Sequence, residues 1–207
     1  MAELKNHLTR ARKTFDSGLI DEAIIEFENL TIKYKEHAIV FYNLGRSYRV
    51  SEEYDLAVNN YQYAQSLNPF EEKYPMAIKA IAQINAKKGD EEFRRQEFDA
   101  AIKNYQKATD YYPGYTVAFF KLARTYYKMK DIENARIYLE QGLSVDPKQE
   151  QSEKMLGDIY RKTDDVEQAL DHYNKAIKIT GYIRSDILVN NILLPLGDHD
   201  DSVSIEK

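Results

Sequence analysis

One pattern, built around a single alanine, occurs five times along the 207-residue chain and constrains the fold more than any other feature. The alanines are Ala23, Ala57, Ala101, Ala135 and Ala169, separated by 34, 44, 34 and 34 residues. An aromatic residue or Leu follows each of them four places later: Phe27, Tyr61, Tyr105, Leu139 and Tyr173. A small residue precedes each by twelve places: Ala11, Gly45, Gly89, Ala123 and Gly157. The chain therefore consists mainly of five repeats in register.

Each repeat contains two apolar series at helical spacing, separated by a polar turn. In the second repeat they run through Phe41, Leu44 and Tyr48, then Tyr54, Ala57, Val58, Tyr61 and Ala64. Residues spaced this way share one face of a helix. Small residues allow two helices to approach closely, and the facing aromatic side chain fills the remaining space. Pro69, Pro113 and Pro147 end the second helix in three repeats, because proline cannot continue a helix. We therefore predict helical hairpins, in agreement with a chain that has only 8 Gly and 5 Pro for turns.

With this period and these residue types, the chain resembles the tetratricopeptide repeat family. The second repeat matches best, through Gly45, Ala57, Tyr61, Ala64 and Pro69. The matching repeats are 4–37, 38–71, 82–115, 116–149 and 150–183. The resemblance implies an all-α, right-handed superhelix (an α-solenoid) of five helical-hairpin repeats, with an array over residues 1–183 and a C-terminal capping helix after it.

Ten residues, 72–81, interrupt the period between the second and third repeats. Pro75 suits the first turn of a helix, and Ile78, Ile81 and Ile84 are spaced three apart. We interpret the segment as a lengthened first helix of the third repeat. The alternative is a hinge between the second and third repeats.

Residues 184–207 follow the last repeat and form an apolar segment with an acidic tail. A short helix capped by Ser185 is expected to end before Pro195. Its apolar residues exceed what the polar outer face of a capping helix requires. The helix is expected either to pack on the fifth repeat or to associate with a partner or a second copy. The residues proposed for self-association are Ile187, Leu188, Ile192 and Leu193.

No motif for catalysis occurs in the sequence. The chain has no Cys, its four His are scattered, and it lacks a phosphate-binding Gly loop, a nucleophile elbow and an HExxH helix. We therefore expect no enzyme activity, no cofactor and no metal site. No apolar run is long enough to span a membrane, and the N-terminus lacks a signal-peptide core, so a soluble, cytoplasmic protein is expected, with a removed leader as the open alternative.

The family resemblance also predicts a binding surface. In the family, five positions of each repeat, mostly on the first helix, face a concave groove. Here ten of those residues are basic and three acidic, although the whole chain carries a net charge of −5. Arginine binds carboxylates through a planar fork, and a concave surface focuses the field, so we predict binding of an acidic or carboxylate-terminated protein segment. The expected peptide-binding residues are Arg12, Tyr42, Asn43, Arg46, Arg49, Lys87, Arg94, Phe120, Arg124, Tyr127, Lys128 and Arg161. The alternative is that these arginines pair with Asp and Glu on neighbouring helices.

Some members of the family hold the C-terminal tail of a chaperone in a carboxylate clamp. The clamp positions here hold Leu8, Arg12, Asn43, Gln83 and Lys87. Only Asn43 matches the clamp, and Lys87 preserves its charge. A chaperone-tail adaptor is therefore disfavoured.

Two other functions use the same features. The first is a self-assembling scaffold that associates through the C-terminal apolar segment. The second is single-stranded RNA binding, with bases stacked on Tyr42, Phe120 and Tyr127 in the basic groove. The net negative charge disfavours nucleic acid as a partner.

Overall fold

The computed structural model describes residues 2–180. Over this range the chain is all-helical, with ten α-helices and no strand, which confirms the predicted fold class. The helices are α1 Ala2–Asp16, α2 Ile20–Lys33, α3 Ala38–Val50, α4 Tyr54–Leu67, α5 Lys73–Arg94, α6 Phe98–Tyr111, α7 Thr116–Lys128, α8 Ile132–Val145, α9 Glu150–Lys162 and α10 Val166–Thr180. The predicted capping helix and self-association residues lie outside the described residues.

The helices belong to two compact units, Met1–Thr125 and Tyr126–Lys207. In the first unit each helix from α1 to α5 packs on the next, and α5 packs on α6. In the second unit α8 packs on α9, and α9 on α10. None of the helices between residues 2 and 180 is long and apolar enough to cross a membrane.

The turn between the two helices of each repeat contains one residue with a left-handed backbone. These residues are Gly18, Glu52, Gln96, Lys130 and Asp164, with φ between 60° and 82°. They occupy the same place in all five repeats. A left-handed residue just after a helix directs the last backbone amides onto free carbonyls and stops the helix. In the second repeat, for example, the amide of Glu53 donates to the carbonyl of Tyr48 at 2.9 Å.

Within a repeat, the two helices are closest where the small residue of the first meets the large residue of the second. A Cβ on Gly45 would lie 2.8 Å from Tyr61 Cδ1, and one on Gly89 would lie 2.7 Å from Tyr105 Cε1. At Gly157 the distance to Tyr173 Cε1 would be 2.5 Å. The first and fourth repeats instead combine Ala with Phe or Leu: Ala11 with Phe27, and Ala123 with Leu139. Glycine thus accompanies tyrosine at this position, because the tyrosine ring lies across the first helix.

The ten residues added to the period are helical apart from Glu72, which precedes α5. At 22 residues, α5 is longer than the other first helices, which have 13 to 15. Ile78 and Ile81 of its added part join the core of the first unit. Burial of these two side chains in the core stabilises the added segment as a helix.

Candidate functional site

Two arginines from different repeats meet at Asn43. Asn43 is 2% exposed, and its amide nitrogen donates to the carbonyl of Ile39 at 2.6 Å, which fixes the side chain. Its Oδ1 accepts from Arg12 Nε at 3.4 Å and from Arg46 Nη1 at 3.5 Å. Three predicted binding residues therefore come together on α1 and α3.

Aromatic rings flank these arginines. The guanidinium of Arg46 lies over the ring of Phe15, 4.9 Å from its centroid. Tyr42 packs between Tyr61 and Tyr74, with centroid distances of 5.6 and 5.5 Å. Stacking on an aromatic face holds a guanidinium flat while leaving its N–H edge free to donate.

Tyr61 lies beneath these groups and is completely buried. Its hydroxyl has no acceptor among residues 2–180. Burial raises the pKa of Tyr61, and Arg49, which lies close enough to donate to the phenol oxygen, opposes that shift together with the charge of Arg46. The Oδ1 of Asn43 already accepts from Arg12 and Arg46, so the proton of the Tyr61 hydroxyl is left without an acceptor.

The third repeat has a carboxylate where the second has Arg46. Asp90 accepts from the hydroxyl of Tyr105 at 2.8 Å and pairs with Lys121 at 2.5 Å. Burial raises the pKa of Tyr105, and the hydrogen bond to Asp90 raises it further, whereas Arg124 lowers it. Arg124 itself stacks on Phe93, 4.5 Å from the ring centroid.

The second compact unit repeats this arrangement. The hydroxyl of Tyr173 donates to Asp158 at 2.7 Å. Burial and that hydrogen bond raise the pKa of Tyr173, and Arg161 lowers it. Lys162 lies over the ring of Tyr127, 4.6 Å from the centroid.

Four predicted binding residues take no part in these clusters through their charged or aromatic groups. Lys87 and Lys128 are exposed and make no polar contact over the described range, and Phe120 is half-buried. Arg94 donates to the backbone carbonyl of Asp90 at 3.3 Å, not to its carboxylate.

The other three arginines of residues 2–180 are paired with carboxylates. Arg10 pairs with Glu26 at 3.3 Å, Arg95 with Glu97 at 3.2 Å, and Arg136 with Glu133 at 2.7 Å and Glu140 at 2.9 Å. By contrast, six arginines at the predicted site make no ion pair with a described residue of their own compact unit: Arg12, Arg46, Arg49, Arg94, Arg124 and Arg161. Neutralisation by neighbouring carboxylates, the alternative for these arginines, does not occur among those residues.

The spacing of the repeats predicted that Tyr61, Tyr105 and Tyr173 pack between the two helices of their repeats, but it assigned no partner to their hydroxyls. In the structure two of these hydroxyls donate to aspartates, and the third is buried without an acceptor. The signal was present in the sequence, because Asp follows Gly at 89–90 and 157–158, whereas Arg46 follows Gly45. Residues 2–180 contain no cluster of three or more His, Asp or Glu arranged to hold a metal ion.

The helix pairs, their Gly–Tyr contacts and the charged face of their first helices define a helical-repeat protein. Two family models, both described as tetratricopeptide repeat, match residues 92–159 and 155–181. Residues 92–181 therefore match tetratricopeptide repeats, the family that the spacing of small and aromatic residues indicated. No curated protein matches it significantly in sequence.

Solved structures of low sequence identity also resemble this chain. The first TPR domain of Spaghetti (RPAP3), bound to the HSP90 peptide SRMEEVD, is 18% identical with a TM-score of 0.51, over 55% of this chain and 89% of that one. MamA is 20% identical with a TM-score of 0.48, over 83% and 94%. PilF of Pseudomonas aeruginosa is 16% identical with a TM-score of 0.47, over 89% and 79%. At such identities the likeness concerns the fold alone.

Proposed function

We propose that this protein is a non-catalytic adaptor or assembly scaffold that binds an acidic or carboxylate-terminated segment of a partner protein. The segment lies along the first helices of the repeats, on the face that carries Arg12, Arg46, Arg49 and Arg124. In the related fold of Spaghetti, the bound HSP90 peptide SRMEEVD is itself acidic, which is compatible with this class of ligand.

The unpaired arginines carry the proposal. Arg10 and Arg95 each lie beside a carboxylate of the chain itself, which balances part of their charge. An arginine that stacks on a ring and lacks a carboxylate keeps its donors for an incoming one. Arg46 on Phe15 and Arg124 on Phe93 are in this state.

A double charge reversal tests the proposal. Arg46→Glu with Arg124→Glu is expected to weaken binding of a fluorescein-labelled hexaglutamate peptide at least tenfold at low salt, because two attractive sites become repulsive. Fluorescence anisotropy measures the affinity.

The matched control is Arg10→Glu with Arg95→Glu, which changes the net charge equally but alters paired, exposed residues. We expect the control to bind within threefold of the unmodified chain. Equal losses in both double variants would reduce the effect to net charge and contradict a defined surface, as would full binding by Arg46→Glu with Arg124→Glu.

A further inference from the structure

Two positions of the repeat vary together, except in one repeat. The first is the residue that directly follows the small residue of the first helix, and the second is the large residue of the second helix that packs on that small residue. In the third and fifth repeats the tyrosine hydroxyl donates to an aspartate, Asp90 or Asp158. In the first and fourth repeats an arginine stands at the aspartate position, and the partner position holds Phe27 or Leu139, neither of which has a hydroxyl. The second repeat alone combines the hydroxyl, on Tyr61, with an arginine, Arg46.

This exception leaves a polar group unsatisfied. Tyr61 is 0% exposed, and its hydroxyl has no acceptor among the described residues, since its neighbour Arg49 can only donate. A buried hydroxyl without an acceptor is costly, because its bond to water is lost and not replaced. The close contact of the ring with Gly45 limits how far the side chain can withdraw.

The groups around the Tyr61 hydroxyl indicate which kind of ligand would bind there. Arg46 and Arg49 lie close enough to lower the pKa of Tyr61 against the larger effect of burial. Their guanidinium groups supply only donors, and the Nη1 of Arg46 uses one of them on Asn43. Both side chains are half-exposed, and a ligand reaches the buried hydroxyl from solvent when they move aside. An anion with two acceptor oxygens satisfies all three groups.

The third repeat demonstrates that this fold holds a carboxylate in such a place. There Asp90 receives the hydroxyl of Tyr105 and the ammonium of Lys121. Arg124 lies near the same tyrosine and lowers its pKa. A tyrosine and a cation thus hold a carboxylate supplied by the chain itself.

We propose that Tyr61, Arg46 and Arg49 form a subsite for one carboxylate of the bound segment, which takes the place that an aspartate side chain fills in the third and fifth repeats. This inference rests on the proposed function and names the residues that would bind one carboxylate of the partner segment. Its three residues differ from the five at the clamp positions, which are Leu8, Arg12, Asn43, Gln83 and Lys87, although Arg46 has the place in the second repeat that Arg12 has in the first.

The first test removes single hydroxyls from the ligand-free chain. Tyr61→Phe is expected to leave the thermal unfolding midpoint unchanged or to raise it, since the lost hydroxyl has no acceptor. Tyr105→Phe and Tyr173→Phe are expected to lower the midpoint by about 2–8 °C, because each removes a hydrogen bond to an aspartate. A loss in Tyr61→Phe as large as in Tyr105→Phe would overturn the subsite, since the hydroxyl would then have an internal partner.

A second test places an acceptor for the Tyr61 hydroxyl in the chain itself, by substituting an aspartate for Arg46. Arg46→Asp recreates the arrangement of the third repeat, so Tyr61→Phe made in that background should now lower the midpoint. The same Arg46→Asp variant is expected to lose hexaglutamate binding, because its own carboxylate occupies the subsite. If Tyr61→Phe has the same effect in both backgrounds, the hydroxyl does not face position 46 and the subsite is wrong.

The third test measures binding with two labelled peptides: hexaglutamate with an amidated C-terminus, and hexaglutamine with a free C-terminus. Tyr61→Phe should weaken one of them about tenfold, and Tyr173→Phe should weaken neither. Loss of the first peptide assigns the subsite to a side-chain carboxylate, and loss of the second to a C-terminal carboxylate.

The binding results separate this inference from the proposed function. If Tyr61→Phe binds both peptides normally while Arg46→Glu with Arg124→Glu does not bind, the adaptor function stands and the subsite is wrong. If the unmodified chain binds neither peptide, both are wrong.

Discussion

At the scale of single residues, the methyl group that distinguishes alanine from glycine in the first helix decides which side chain of the second helix packs against it. Gly89 admits the ring of Tyr105, and the ring carries its hydroxyl to Asp90. With Ala123 in the equivalent place, the fourth repeat has Leu139 and no hydroxyl. The choice between glycine and alanine in the first helix is therefore linked to the polar residue that follows it, Asp90 after Gly89 and Arg124 after Ala123.

Gly89→Ala is expected to destabilise the chain by about 1–3 kcal/mol, because the new Cβ would lie 2.7 Å from a ring carbon of Tyr105 and force the ring to move. Adding Tyr105→Leu recreates the combination found in the fourth repeat and should recover part of the loss. Urea denaturation of the two single variants and the double variant measures the coupling. Strictly additive losses would contradict a direct contact between the two positions.

At the scale of the helices, the left-handed turn residue sets where each first helix ends. Only one of the five is glycine; the others are Glu52, Gln96, Lys130 and Asp164. A left-handed conformation costs a residue with a Cβ about 1–2 kcal/mol. Four repeats therefore accept this cost to stop the helix at a set position, which shows how strongly the packing of the two helices dictates the turn.

Gly18→Ala isolates this backbone effect. A Cβ on Gly18 would contact nothing within 4 Å, so the cost arises from the φ of 82° alone. We expect a loss of about 1 kcal/mol in the free energy of unfolding by urea, and a smaller loss for Gly18→Asn, because asparagine tolerates the left-handed region. Equal stability of Gly18→Ala and the unmodified chain would show that the turn adopts another conformation at no cost.

At the scale of the whole molecule, buried tyrosines link stability to pH. Burial raises the pKa of Tyr48, Tyr61, Tyr74, Tyr105, Tyr111 and Tyr173. In the unfolded chain these phenols lose their protons near the ordinary pKa of about 10. The folded chain still holds them at that pH, so above pH 10 it binds more protons than the unfolded chain.

Well below pH 10 the ionisation of these tyrosines should consequently not affect the free energy of unfolding. As the pH rises above 10, the free energy of unfolding should fall. Each contributes a slope of up to about 1.4 kcal/mol per pH unit. Urea denaturation at a series of pH values measures the slope. Tyr105→Phe is expected to reduce it, whereas Tyr63→Phe, which alters an exposed tyrosine, should not. Identical slopes in both variants would contradict the assignment to buried phenols.

The repeats and their helical content were accessible from the sequence, because small and large residues recur at a fixed distance. Ala57 and Tyr61 are buried in the place that their period predicted. The sequence also predicts that the arginines of the first helices bind a ligand, and this stays a prediction. The surroundings of these arginines were not accessible from the sequence, since stacking on Phe15 and Phe93 depends on how rings from neighbouring turns approach them.

The sequence by itself determined that the chain forms helical hairpins, because periodicity and the placement of small residues act locally and repeat in every copy. Only the tertiary structure decided which polar groups are satisfied. The hydroxyls of Tyr61 and Tyr105 occupy the same position in their repeats, yet Tyr105 meets Asp90 and Tyr61 meets no acceptor. A hydrogen bond forms only where two helices bring donor and acceptor within about 3 Å, and that distance is set by packing between the helices.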